Sequence, residues 1–168
     1  ALCLEYRRML FRSIDMTLGN GFDSLYLAKH VKEVHAFEIQ EQGIINSKKL
    51  FAENNINNVI IHHESHINID KLEFEYQIAI FNLGYLPGSD KTITTQYNTT
   101  ILALEKLLNK SSIEVILLVV YPGHENGYIE SIELNKYINN IDNSFRVIKL
   151  NILNATKQAP YIILIEKK

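Results

Sequence analysis

Residues 14–24, Ile14-Asp15-Met16-Thr17-Leu18-Gly19-Asn20-Gly21-Phe22-Asp23-Ser24, read as the end of a strand, a glycine turn and the start of a helix in direct succession. Gly19 and Gly21 carry no Cβ and tolerate positive φ, so the backbone can turn sharply and a ligand can approach it closely. Asp23 and Ser24 stand where a helix begins, and Leu25, Leu27, Ala28 and Val31 supply its apolar face. Such a turn sets backbone N–H groups and the positive end of a helix dipole beside whatever binds, which suits a nucleotide or a carboxylate. The stretch lacks the third glycine of the dinucleotide fingerprint and the Lys-Ser/Thr of a phosphate loop, and taken alone it is also an ordinary strand-to-helix turn. Glu38 strengthens it. This acid closes the next apolar run, Val34-His35-Ala36-Phe37, at the downstream distance where a carboxylate meets ribose hydroxyls.

At 168 residues the chain fits one domain, 1–168, with a real core and no room for two. Charged residues make up 21% and apolar ones 46%, which excludes a disordered chain. A net charge of −2 argues against a broad basic face of the kind that binds duplex nucleic acid through phosphates alone. Arg7, Arg8 and Arg12 form the one arginine cluster, explained as well by a solvated helix face as by contact with phosphates. The single cysteine, Cys3, excludes an internal disulfide and fits a reducing compartment. With no run of membrane-spanning length and no secretory signal, the expected location is cytoplasmic.

Outward from the turn, strands and helices alternate. Residues 2–11 suit a leading helix. Ile14–Thr17 is the first strand, extended from Phe11, and a helix from Asp23 to about His30 leads to a second strand, Glu33–Ile39. An amphipathic helix with Ile44, Ile45, Phe51 and Ala52 precedes a third strand, Val59–His62, and Tyr76–Phe81 is the fourth. A helix carrying Ile101, Leu104, Leu107 and Leu108 follows, then the most apolar strand, Val115–Tyr121, and a helix ending near Ile138. Phe145–Leu153 and Tyr161–Ile165 are joined by too few residues for a helical crossover, so they should pair as an antiparallel hairpin. The expected fold is therefore α/β and Rossmann-like: a mostly parallel seven-stranded sheet with helices on both faces and a C-terminal antiparallel hairpin. That is the layout of class I methyltransferases. A GxG turn followed by one acid is common to S-adenosylmethionine and nicotinamide sites, and the terminal hairpin favours the methyl donor.

In such a sheet ligands collect beyond the carboxyl ends of the strands, where the strand order reverses. The turns there carry Asp15 to Gly21, Glu38 with Gln40, Glu64-Ser65-His66, Asn82 to Lys91, and Tyr121 to His124. For any single one of these positions an ordinary polar loop is the better explanation. The fourth loop says most, since an Asn at a strand end followed by a tight turn with an aromatic resembles the Asn-Pro-Pro-Tyr loop of amino-group methyltransferases. Here Leu83 and Gly84 replace the prolines.

The combination Asp15-x-Thr17-x-Gly19-Asn20-Gly21-x-Asp23, Glu64-Ser65-His66, Asn82-Leu83-Gly84-Tyr85-Leu86-Pro87-Gly88-x-Asp90-Lys91 and Tyr121-x-Gly123-His124-x-x-Gly127 resembles the YtqB/MnmM family. These are class I enzymes described as rRNA methylases and assigned as bacterial tRNA 5-(aminomethyl)uridine, or 5-aminomethyl-2-thiouridine, methyltransferases. The resemblance covers nearly the whole chain, with Phe22 where a His is common and Glu64 where Asp is expected. It implies S-adenosylmethionine as cofactor. Its donor site would comprise Asp15, Thr17, Gly19, Asn20, Gly21, Asp23, Glu38 (ribose), Gln40, Glu64 and Ser65 (adenine), His66 and Asn82. Asn82 and Tyr85 would face the accepting amine, with Gly84, Pro87, Lys91, Tyr121 and His124 beside the substrate. Only a neutral amine attacks, and residue type and loop position suggest Asp90, with His124 second, as the group that takes its proton.

His62, His63 and His66 invite a metal reading, but they cross a strand end without a cysteine pair or HExxH pattern, so no metal is expected. Tyr85, Tyr97, Tyr121 and Tyr128 could stack an unpaired base, and only Tyr85 is favoured for it. The expected partner is the tRNA anticodon loop, reached by contacts confined to that loop or by a surface built in a homodimer. Methylation of rRNA or of a small-molecule amine, and a non-catalytic RNA-binding module on the same fold, are the alternatives.

Overall fold

The computed structural model describes residues 11–86, 88, 94–155 and 158–168. In chain order it holds β1 (Arg12–Asp15), α1 (Phe22–Ala28), β2 (Glu33–Phe37), α2 (Glu41–Glu53), β3 (Val59–His62) and a 3-10 turn (His66–Lys71). These are followed by β4 (Ile78–Asn82), α3 (Tyr97–Leu108), β5 (Val115–Val120), α4 (Glu125–Ile138), β6 (Phe145–Leu150) and β7 (Tyr161–Lys167). The expected leading helix lies outside the described residues, as do Arg7, Arg8, Pro87, Asp90 and Lys91. Among the described residues no helix is long and apolar enough to cross a membrane.

The strands form one sheet in the order β3-β2-β1-β4-β5-β7-β6. β1 pairs in parallel with both β2 and β4, while β7 runs antiparallel to β5 and β6. This is the expected sheet with its terminal hairpin. The first strand lies inside the sheet between β2 and β4, so the chain moves outward to β3 and then crosses to β4, which makes the β1–β4 boundary the point where strand order reverses.

Alternation along β1 and β2 assigns the two faces. Ile14, Met16 and Phe37 join a large cluster with Ile69, Leu104, Leu107, Leu118, Leu134 and Ile138, covered by the 3-10 turn, α3 and α4. Leu18, Ala36 and Phe51 form a smaller cluster with Leu25 and Ile56 on the side of α1 and α2. Helices therefore cover both faces, and fully buried residues such as Ile14, Val34 and Ala36 need no polar side.

Element ends shift by a few residues from those expected. β1 closes at Asp15, and one further bond to β4 follows it, the Met16 N–H donating to the Ile80 carbonyl at 2.8 Å. α1 stops at Ala28 rather than about His30, and β6 stops at Leu150 rather than Leu153. The 3-10 turn was not anticipated, and Ser65 caps it by accepting the Ile67 N–H.

Candidate active site

The glycine turn is tight on the side of α2, where Gly21 has no room for a side chain. Gly19 and Gly21 have φ of 53° and 87°, and a Cβ on Gly21 would lie 2.7 Å from Ser47 Cβ and 3.0 Å from Phe51 Cζ. α2 thus packs directly under the turn. Gly43, in its first turn, lets the helix come so close that a Cβ there would sit 2.9 Å from the Gly19 carbonyl and 3.1 Å from Glu38 Cγ. The Glu38 carboxylate is fixed from both sides, accepting the Gly19 N–H at 2.9 Å and the Gln40 N–H at 2.7 Å. Each oxygen keeps a further lone pair for a ligand hydroxyl. Asn20 accepts from Asn46 of α2 at 2.8 Å.

Asp15, at the end of β1, is fully buried and accepts the Ser24 hydroxyl at 2.7 Å and the Thr17 N–H at 3.1 Å. Burial pushes its carboxyl up to about 7, with the Asp23 and Glu38 charges adding to the rise and the two hydrogen bonds opposing it. Its contacts are to the turn itself, so it shapes the loop from beneath.

The turn after β1 and the loop after β4 are joined at one residue. Asn82 donates its backbone N–H to Thr17 Oγ1 at 2.7 Å and its side-chain Nδ2–H to Asp23 Oδ2 at 2.9 Å. A carboxylate can only accept, so this second bond fixes the amide orientation and leaves Asn82 Oδ1 as an acceptor. Beyond it, Gly84 (φ 128°) turns the chain, and Tyr85 bridges to Thr94 with its ring 38% exposed and edge-on to His124, centroids 5.6 Å apart.

One cavity of about 760 Å³ takes in both halves. Its lining runs from Met16 to Asn20 and Asp23, past Glu38 and Gln40, across Glu64, Ser65 and His66, to Asn82, Gly84, Tyr85, Tyr121 and His124. Gly21 and Asp15 support that lining from behind. Sequence reasoning missed Gln158 and Pro160, which reach the cavity from the β6–β7 connection, and Thr94, Thr95, Gln96 and Thr99 around the start of α3.

Three side chains in the lining have contacts that the sequence did not disclose. Glu64 pairs with Lys71 at 2.6 Å and Asn68 at 2.7 Å, and the Lys71 ammonium holds its carboxyl below the usual range. His66 is buried against Phe81, and burial pulls its imidazole down to about 4, so the ring is neutral at pH 7. Its Nε2, with Thr94 Oγ1 and His124 Nε2, is buried without a hydrogen-bond partner among the described residues. Orphaned polar atoms in a cavity wall are what a polar ligand satisfies. His124 Nδ1 accepts the Gly127 N–H at 3.0 Å and caps α4, so the lone pair that a neutral ring would use as a base is already engaged.

The other histidines go elsewhere. His62 Nε2 meets His35 Nδ1 at 2.8 Å, and His63 Nε2 meets the Ile39 carbonyl at 3.2 Å. Among the described residues no group of three His, Cys, Asp or Glu is arranged to hold a metal ion.

Known proteins resemble this chain in both sequence and fold. A "putative rRNA-methylase" from Clostridium thermocellum is 30% identical, with a TM-score of 0.90 over 99% of this chain and 96% of that one. SMU.1697c, a "putative methyltransferase" of Streptococcus mutans solved in complex with SAH, is 32% identical, with a TM-score of 0.87 over 98% of this chain and 93% of that one. The chloroplastic tRNA (mnm(5)s(2)U34)-methyltransferase of Arabidopsis thaliana is 33% identical over 132 residues, 68% of this chain; the chain spans about half, 47%, of that protein's length. The family model described as "Putative rRNA methylase" matches residues 34–166. With that match over most of its length, and with the class I methyltransferase sheet beneath its site, the chain belongs to the rRNA methylase family.

Proposed function

We propose that the protein is an S-adenosylmethionine-dependent methyltransferase that methylates the amine of 5-aminomethyl-(2-thio)uridine at the tRNA wobble position, giving the 5-methylaminomethyl product. The observation that carries this reading is the Asn82 junction, which joins the glycine turn to an amide whose Oδ1 is left as an acceptor, within one cavity. The residues present fit the donor. Gly19 leaves the backbone bare for close approach, the Glu38 carboxylate is held at the cavity edge for ribose hydroxyls, and Glu64, Ser65 and His66 line the side given to the adenine. Bound there, S-adenosylmethionine supplies an electrophilic methyl group.

The chain's own task is alignment and proton management. Asn82 Oδ1 accepts a hydrogen from the amine and points its lone pair along the line of transfer. Tyr85, exposed at the rim, offers a face for the uracil ring. The amine must shed a proton, and since the His124 lone pair is committed to the α4 cap, Asp90 keeps that assignment. The name of the Arabidopsis relative supports the wobble uridine as target.

The test incubates purified protein with methyl-labelled S-adenosylmethionine and bulk tRNA from a host lacking this modification, then identifies the labelled nucleoside by mass spectrometry. Label in 5-methylaminomethyluridine or its 2-thio form is expected. Label in rRNA or in a small amine, with none in tRNA, would replace the substrate; absence of donor binding would favour a non-catalytic module.

A further inference from the structure

Glu130 is an acid at the head of the stripe that α4 buries. It shares one face of α4 with Leu134 and Ile138, is 2% exposed, and lies between α4 and the start of α3. Burying a carboxylate is costly, and an apolar side chain would hold the two helices together without that cost. An apolar side chain could not accept hydrogen bonds, and Glu130 accepts two: from the Thr100 hydroxyl of α3 at 2.8 Å and from the Thr95 hydroxyl at 2.7 Å. The Thr95 oxygen in turn accepts the Gly84 N–H at 2.8 Å, while the Thr95 N–H donates to the Gly84 carbonyl at 2.9 Å. Gly84 is therefore clamped from both of its peptide groups at the point, φ 128°, where the loop after Asn82 turns toward Tyr85.

We propose that Glu130 is a positioning residue, which acts through Thr95 to set the Asn82–Tyr85 loop in the geometry that receives the amine. The inference rests on the assignment of that loop to the acceptor. Direction matters in this chain of bonds. Burial pushes the Glu130 carboxyl up while the Thr95 and Thr100 hydroxyls hold it down; in its ionised form it only accepts, so the Thr95 proton points at Glu130 and the Thr95 oxygen faces the Gly84 N–H. A glutamine at 130 offers one acceptor and one donor to two hydroxyls. If its amide donates to Thr95, that oxygen faces two donors and its own proton loses its acceptor.

The experiment compares Glu130→Gln, Thr95→Val and Thr95→Ser with the wild type in three readouts: kcat for methyl transfer to tRNA, affinity for S-adenosylhomocysteine by calorimetry, and exchange protection of the Gly84 amide by NMR. Expected are losses of about tenfold or more in kcat for Glu130→Gln and Thr95→Val with donor affinity held, since a small misplacement of a reacting group costs that much. Thr95→Ser should restore most of the rate lost in Thr95→Val, and Gly84 protection should fall in Thr95→Val alone of the two. If Glu130→Gln does not fold, the Thr95 pair decides. Wild-type rates in Thr95→Val, equal losses in donor affinity and kcat, or a serine variant no better than valine would overturn the proposal. If the wild type transfers nothing to tRNA, the acceptor reading fails separately, and Gly84 protection that ignores Thr95→Val then overturns the relay.

Discussion

Gly43→Ala sets two effects of known sign against each other. Position 43 lies in the first turn of α2, where replacing Gly by Ala favours the helix by up to about 1 kcal/mol. The new Cβ, however, would stand 2.9 Å from the Gly19 carbonyl and 3.1 and 3.2 Å from Glu38 Cγ and Cδ. The carbonyl belongs to a backbone clamped by the Glu38 bond, so the strain has little outlet; overpacking of this kind costs about 1–3 kcal/mol. Relief by moving Glu38 lengthens the 2.9 Å bond to the Gly19 N–H, a contact with a charged acceptor worth about 1.5–3 kcal/mol. Losing half of that value from the donor site predicts S-adenosylhomocysteine binding weakened roughly tenfold, at 1.4 kcal/mol per decade. The expected global stability is unchanged or lower by about 1–2 kcal/mol, as strain offsets propensity. Calorimetric titration with S-adenosylhomocysteine and urea midpoints measure the two quantities. An unchanged Kd with a raised midpoint is what helix propensity alone gives, and it would refute the claim that Gly43 makes room for the donor site.

Asp15→Asn should flatten the pH dependence of stability. Because burial raises the folded-state value from 3.8 to about 7, the favourable contribution of the protonated acid is present below pH 4 and lost as pH rises toward 7. At about 1.4 kcal/mol per unit the wild type loses up to about 4 kcal/mol across that window, and the amide, which still accepts from Thr17, does not. Parallel urea-midpoint curves for the two proteins between pH 4 and 8 would contradict this. In Gly127→Ala the new methyl would run into the Tyr121 carbonyl and press on the His124 ring, breaking the cap of α4. A loss of about 2–4 kcal/mol is expected in thermal or urea unfolding, and a change under 1 kcal/mol would show that the turn relaxes freely.

How much was legible follows from how local each constraint is. The Gly19–Gly21 turn and Glu38 could be read because a positive-φ turn requires glycine and the carboxylate follows one crossover later. The antiparallel pairing of β6 with β7 was legible from a length, since the connection ahead of Tyr161 is too short for a helix. The contacts of Glu64 with Asn68 and Lys71 were not legible, because they depend on a 3-10 turn whose apolar pattern is too brief to show. Gly43 and Glu130 did leave signals. One is a glycine inside an amphipathic helix, the other an acid in register with Leu134 and Ile138, and each marks a place where packing gives way to the site. The Asn82 to Thr17 and Asp23 bonds span 65 and 59 residues, and only the fold brings those partners together.

The measurement closest to the central claim is single-turnover methyl transfer to two synthetic anticodon stem-loops, identical except that one carries 5-aminomethyluridine and the other uridine at the wobble position, with wild type and Asn82→Ala. Transfer is expected to the aminomethyl stem-loop alone, and at saturating S-adenosylmethionine the rate in Asn82→Ala is expected to be at least about 100-fold lower. Equal labelling of the two stem-loops, or an undiminished rate in Asn82→Ala, would contradict an amine acceptor held at the Asn82 junction.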